Sequence, residues 1–184
     1  MVSCKVTFQD SPLTAAKKVN QTAGTVFAFI EAEDIRRGAH KMYGMEQVLG
    51  DTWMLETPNS CIPVFRLGPK QLILMDSGQS GDDLKELLAF LHREQLMVRA
   101  VLTSHAHIDH TGGHRALREL YGAELIASVF NAAVLENSLG LRAYFYEDTY
   151  HEALRHHEQM GARVDRLILP GQRSICIDGA AFQI

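Results

Sequence analysis

The chain lacks the features that would place it in one of the specialised protein classes. Its three cysteines, Cys4, Cys61 and Cys176, are odd in number, far apart and outside any C-x-x-C spacing. That fits reduced thiols better than a disulfide framework and makes each an expected small buried hydrophobe. No apolar run approaches the length of a membrane span, and the opening MVSCKVTFQD has no basic patch followed by an apolar core. Neither a membrane nor a secretory route is expected, which leaves the cytoplasm as the expected compartment. Positive charge is not in excess either, because 18 Lys and Arg face 22 Asp and Glu, for a formal net charge of -4. Without a basic stripe, nucleic acid is not an expected partner.

What is present divides unevenly along the chain. Residues 1–45 carry weak signals and read as an N-terminal extension. Within them SPLTAAKKVNQTAG resembles a short capped helix ending at Gly24, and TVFAFIEAE a strand containing Phe27 and Phe29. From residue 46 the pattern sharpens. TWMLE, CIPVFRL and QLILM read as a β-meander, the last two joined at Gly68-Pro69. DDLKELLAFLHREQL follows, with Leu84, Leu87, Leu88 and Leu91 at helical spacing, and predicts an amphipathic helix over 82–95. Asp82 and Asp83 at its start are expected to cap it and complement its dipole.

VRAVLTS then reads as a strand, residues 112–121 as a helix stopping at Gly122, and ELIAS as the next strand. Strands alternating with helices imply parallel crossover units, whose ligands collect beyond the carboxyl ends of the strands. Downstream, FNAAVLENS and EDTYHEALRHHEQMG look helical, VDRLILP extended, and SICIDGAAFQI a hairpin turning at Asp178-Gly179. Phe65 and Phe90 are core candidates. Trp53, Tyr144, Phe145 and Tyr146 are expected to pack under helices, and His40 and His92 to lie on the surface.

The chemistry concentrates in TSHAHIDHTGGH, residues 103–114, which holds four histidines and an aspartate directly after an apolar strand. Imidazole is a good ligand for zinc and similar divalent ions. On extended backbone His105 and His107 share a face while Ala106 points away. Asp109 and His110 come where the chain must turn, and Gly112-Gly113 keep that turn free of side chains. Two neighbouring ion positions are thereby outlined. Ions so placed can share and activate a hydroxide for hydrolysis.

An apolar strand ending in DSG, then a helix, then S-H-A-H-I-D-H-T-G-G resembles the metallo-β-lactamase superfamily, from about residue 46 onward. The resemblance implies an α/β fold, the αββα sandwich. It implies that His105 and His107 bind a first metal, that Asp109 and His110 bind a second, and that Asp109 also serves catalysis. Asp76 would support the site from its strand end. His114 reads as a helix-start residue close enough to brace a ligand. Zinc is the expected ion, two in a complete protein, with iron or manganese also compatible.

The implied activity is hydrolysis of a small ester, thioester, lactone or related acyl substrate. An iron-dependent sulfur dioxygenase and a non-catalytic module of the same fold are the alternatives. His107 speaks against the di-iron redox branch, which carries glutamate there. A complete member adds a Gly-His ligand, a bridging aspartate and a final histidine, none of which follows here. Residues 46–184 are therefore expected to form the first half of the fold, with little activity alone and one sheet face uncovered and prone to self-association. His151, His156 and His157 read as an exposed helix face, not as substitutes for the missing ligands.

Overall fold

The computed structural model describes residues 44–57, 59–139 and 150–184. The readings for residues 1–43, among them Cys4, Phe27, Phe29 and His40, lie outside the described residues, as do Tyr144, Phe145 and Tyr146.

Seven strands form one sheet in the order β1 to β7. They are β1 (Met45–Leu49), β2 (Thr52–Glu56), β3 (Cys61–Gly68), β4 (Gln71–Met75), β5 (Met97–Leu102), β6 (Glu124–Ser128) and β7 (Arg166–Ile168). The first four run antiparallel, as a meander must. From β4 to β7 the neighbours are parallel, because a helical connection returns the chain to the same end each time. Those connections include α1 (Asp82–Arg93), the short α2 (Ile108–Thr111), α3 (His114–Tyr121), α4 (Val129–Glu136) and α5 (Tyr150–Met160). β8 (Ser174–Ile177) and β9 (Ala180–Gln183) form a separate hairpin.

QLILM does not alternate in polarity because both sides of β4 are covered. Leu72 and Leu74 face a layer with Leu87, Leu88, Phe90 and Leu91 of α1 and Leu117 of α3. Ile73 faces the other way, toward Ala100, Leu102, Ile126 and Ile168. This second face corrects the expectation of an uncovered sheet. Ile175 and Ile177 of the hairpin pack onto it, Phe65, Leu67 and Phe182 border it, and Ile73 and Ile126 are 2% and 0% exposed.

The hairpin turn places Asp178 at φ 46° and Gly179 at φ 88°. A two-residue turn of this kind matches the twist of the flanking strands, which is why Asp-Gly announces it. Asp178 also accepts from Nε of Arg99 at 2.9 Å, tying the hairpin to β5. Arg99 is the extra residue of a bulge, since Leu72 pairs with Val98 but Ile73 pairs with Ala100.

Other expectations need local correction. Cys61 and Cys176 are exposed, not buried, because each takes the outward position of its strand. The strand β1 went unread because its side chains are mostly exposed and show no alternation. The helix expected over 112–121 starts at His114, with the short α2 lying before it on the other side of Gly112-Gly113, and ends as expected at Gly122, in the left-handed conformation at φ 66°. Phe90 is buried and Phe65 and Trp53 are half-buried against the cores.

Candidate metal centre

The carboxyl ends of β4, β5 and β6 converge, and the histidine cluster sits there. Asp76 leaves β4 with its backbone N–H still on the ladder, donating to Leu102 O at 3.0 Å. It then takes φ 68°, a left-handed conformation that aspartate tolerates better than most residues. This turn points its carboxylate across to the β5 end. There Oδ1 accepts from Ser104 N at 2.8 Å, and Oδ2 accepts from the Ser104 hydroxyl and from His110 Nδ1 at 2.8 Å.

Counting protons assigns the ring nitrogens. An ionised carboxylate only accepts, so His110 carries its proton on Nδ1 and leaves Nε2 free for an ion. Ser104 gives its one hydroxyl proton to Asp76. Its oxygen must therefore accept from His105 Nδ1 at 3.0 Å, which leaves Nε2 of His105 free as well. A carboxylate behind a histidine in this way fixes both ring orientation and tautomer.

The rings crowd together. His105 lies 3.9 Å from His110 and 4.5 Å from His107, centroid to centroid. Asp109 Oδ2 lies 3.5 Å from His110 Nε2 and its side chain is 58% exposed. The extended run expected for the cluster is shorter than supposed, since β5 stops at Leu102 and His107 is already the N-cap of α2. Its carbonyl accepts from His110 N, Thr111 N and the Thr111 hydroxyl, which folds the motif into one helical turn. Ala106 points into a small core with Ala127, Ala132 and Leu135.

Among the described residues, one donor atom each from Asp76, His105 and His110 falls within 4.8 Å of the others. This grouping differs from the pairing that the resemblance implies. Both oxygens of Asp76 are already engaged by three hydrogen bonds, one of them from His110 Nδ1, which makes it the anchor of that ring. The donor set of imidazole nitrogens and one carboxylate suits a divalent ion of the zinc type.

Gly112 and Gly113 serve a different purpose from the one expected. Both have ordinary right-handed φ values, so no turn demands glycine. A Cβ on Gly112 would sit 2.1 Å from Ser80 N, and one on Gly113 would sit 2.9 Å from Ser77 O. The loop after Asp76 lies directly on them, with Gly112 N donating to Gly78 O at 2.9 Å and Ser77 N to His110 O at 2.8 Å.

His114 opens α3 and is 0% exposed. Its Nδ1 bonds Ser77 Oγ at 2.7 Å and its Nε2 bonds Thr103 Oγ1 at 2.9 Å. Burial pushes its pKa down to about 4, against the raising effect of the Asp76 charge. Sequence reasoning missed both hydroxyl partners, and also Asn131, whose Nδ2 donates to Ser104 O at 3.1 Å. The only local signal was the presence of serine and threonine at the two strand ends.

Asp83 is corrected too. It caps nothing: α1 has Gly81 at its N-cap, with no side-chain hydrogen bond. Asp83 is 1% exposed and accepts from the Thr57 and Ser60 hydroxyls and from N and Nδ2 of Asn59. It anchors the β2–β3 loop beneath Gly78. Asp82, exposed, pairs with Lys85.

His151 is exposed, while His157 is half-buried and bonds Ser138 Oγ at 2.6 Å, so it does not belong to an exposed face. His157 lines a cleft of about 370 Å³ with Arg115 and Leu135; a second of about 390 Å³ lies by Trp53, Arg66 and Phe90. Neither cleft includes a residue of the histidine cluster. Among the described residues no helix is long and apolar enough to cross a membrane.

A family model described as the metallo-beta-lactamase superfamily matches residues 57–173. Exodeoxyribonuclease WalJ of Streptococcus pneumoniae serotype 2 is 36% identical over 69 residues, covering 38% of this chain and 26% of that protein. The beta-lactamase from Chitinophaga pinensis superposes with a TM-score of 0.59 at 21% identity, over 78% of this chain and 53% of that one. BJP-1, a subclass B3 metallo-beta-lactamase of Bradyrhizobium japonicum, gives 0.58 at 21% identity, over 76% and 50%. These structural likenesses show the fold alone. The chain spans 26% of the length of the curated relatives it matches and about half of these solved structures.

Proposed function

Because the chain belongs to the metallo-β-lactamase superfamily, we propose that it is a metal-dependent hydrolase of a small ester, thioester, lactone or related acyl substrate. The observation that carries this reading is the contact of three imidazoles, at 3.9 and 4.5 Å, with Asp76 holding His110 by its Nδ1. His105 and His107 would hold one divalent ion, and Asp109 and His110 a second. Zinc suits a set dominated by nitrogen, with iron and manganese as the other candidates. When bound, such ions supply Lewis acidity, lowering the pKa of water toward neutrality and polarising the bond to be cleaved.

The chain's own residues do the rest. Asp76 and Ser104 keep the His105 and His110 protons on Nδ1, so that the Nε2 lone pairs face outward. Asp109, which is exposed, would orient the attacking water and take its proton.

A second reading rests on the curated relative named as an exodeoxyribonuclease. It would put a DNA phosphodiester at the same ions, with the same residues in the same roles.

One assay series separates the readings. Chelator-stripped protein is reloaded with zinc, manganese or iron. It is then offered thioesters, esters and lactones, DNA with free ends, and, for the iron form, a persulfide under oxygen-uptake measurement. Metal content is read separately from turnover. Acyl hydrolysis abolished by chelator and by His107→Ala supports the first reading, and DNA degradation with the same dependence supports the second. Turnover indifferent to both treatments would remove the metal mechanism.

A further inference from the structure

The strand ends behind His105 and His110 are tied into a closed ring of contacts, and none of its members is a ligand. Ser104 N reaches Asp76 Oδ1 at 2.8 Å. Asp76 is followed in the chain by Ser77, whose Oγ lies 2.7 Å from His114 Nδ1. His114 Nε2 lies 2.9 Å from Thr103 Oγ1, and Thr103 is followed by Ser104. The ring thus runs through Asp76, Ser77, His114, Thr103 and Ser104, with two covalent and three hydrogen-bonded links.

Each half of the ring carries one of the histidines. Asp76 holds His110 and Ser104 holds His105. Ser77 reinforces the first half, donating its N–H to His110 O at 2.8 Å and accepting from Gly113 N at 2.9 Å. Thr103 reinforces the second, donating its N–H to Ile126 O at 2.8 Å.

A fully buried imidazole is a costly way to fill space, since its two nitrogens must both find partners. Phenylalanine, a somewhat larger ring, would make no such demand. The planar ring instead offers two nitrogens in fixed, divergent directions, which sets how far apart the two hydroxyls stand.

We propose that His114 is a positioning residue that sets the separation between the Asp76–His110 and Ser104–His105 pairs, and through it the coordination geometry of the ions that those histidines would hold. The inference rests on the metal-site reading above and specifies what holds that site in register.

The probe is cobalt(II), whose visible absorption reports coordination geometry independently of turnover. Unaltered protein is titrated first, then His114→Phe, His114→Asn, His114→Gln and Thr103→Val. Asparagine reproduces the reach of Nδ1 toward Ser77, and glutamine that of Nε2 toward Thr103. Loss of both arms in His114→Phe should weaken cobalt binding by about 10- to 100-fold, the range for residues that orient ligands, and should shift the absorption bands. The two amide variants should fall between. Thr103→Val, nearly unchanged in volume, should shift the bands in the same direction, and it carries the test if the phenylalanine variant does not fold.

Variants with unaltered cobalt affinity and spectrum, whatever their melting temperature, would reduce His114 to a packing role and overturn the inference alone. Failure of the unaltered protein to bind cobalt would overturn the metal-site reading and this inference with it.

Discussion

Oδ2 of Asp76 lies 2.8 Å from Nδ1 of His110, across 34 positions of sequence. The carboxylate meets donors at both oxygens, since Ser104 N faces Oδ1 while the Ser104 hydroxyl and His110 face Oδ2. An amide cannot replace it without turning its own NH₂ toward one of them. Asp76→Asn should therefore weaken zinc binding by about 10- to 100-fold, read by competition with a chromophoric chelator. Affinity unchanged within twofold would mean that Asp76 does not orient His110.

His114 should make stability depend on pH in a defined window. Its pKa falls from 6.5 unfolded to about 4 folded, so folding favours the neutral ring. Above about pH 6.5 both states leave it neutral and its contribution is complete. Below that the unfolded chain takes up a proton that the folded protein refuses until about pH 4. Stability falls as the pH drops through this window, by about 3 kcal/mol in full. Urea denaturation of the metal-free protein, compared with His114→Phe, should show the acid-side loss of stability smaller by that amount in the variant, with a shallower slope. Equal slopes in the two proteins would refute it.

Two glycine substitutions should differ in cost for different reasons. Gly112→Ala drives a Cβ to 2.1 Å from the Ser80 backbone, so the loop after Asp76 must move. Destabilisation of about 3 kcal/mol is expected, with weakened metal binding. Gly122→Ala meets nothing within 4 Å but keeps φ 66°, and should cost only about 1 kcal/mol while leaving the site intact. Chemical denaturation ranks them, and the reverse order would contradict the close-approach argument.

The neighbours Asp82 and Asp83 should respond very differently to alanine. Asp83→Ala strands the donors of Thr57, Asn59 and Ser60 and should cost about 2–3 kcal/mol. Asp82→Ala removes only an exposed pair with Lys85 and should stay within about 0.5 kcal/mol. Similar values for both would restore the helix-capping reading.

Ile177, 2% exposed on the hairpin, should cost about 2–4 kcal/mol on truncation to alanine. Dye binding and sedimentation should then report exposed apolar surface and self-association if the hairpin is what shields the sheet. A monomer with no added dye binding would show that the hairpin is dispensable there.

The sequence determined what depends on near neighbours. Leu84, Leu87, Leu88 and Leu91 at helical spacing specify α1, Asp178-Gly179 specifies the hairpin turn, and Gly122 ends α3. The grouping of His105, His107, Asp109 and His110 was legible for the same reason, because six residues in a tight turn cannot separate far. Backbone geometry over a few residues is set by local sterics, and local pattern is what a sequence displays.

Only the tertiary structure decided who meets whom across long separations. Asp83 looked like a cap because its position at a helix start was visible, whereas its donors, 23 to 26 positions away, were not. His114 looked like an ordinary helix-start residue until Ser77, 37 positions back, and Thr103 closed around it. The glycines looked like turn formers until the loop from β4 was found resting on them. In each case the partner is chosen by which strand ends the parallel sheet brings side by side, and a buried polar group must bond whatever that arrangement offers.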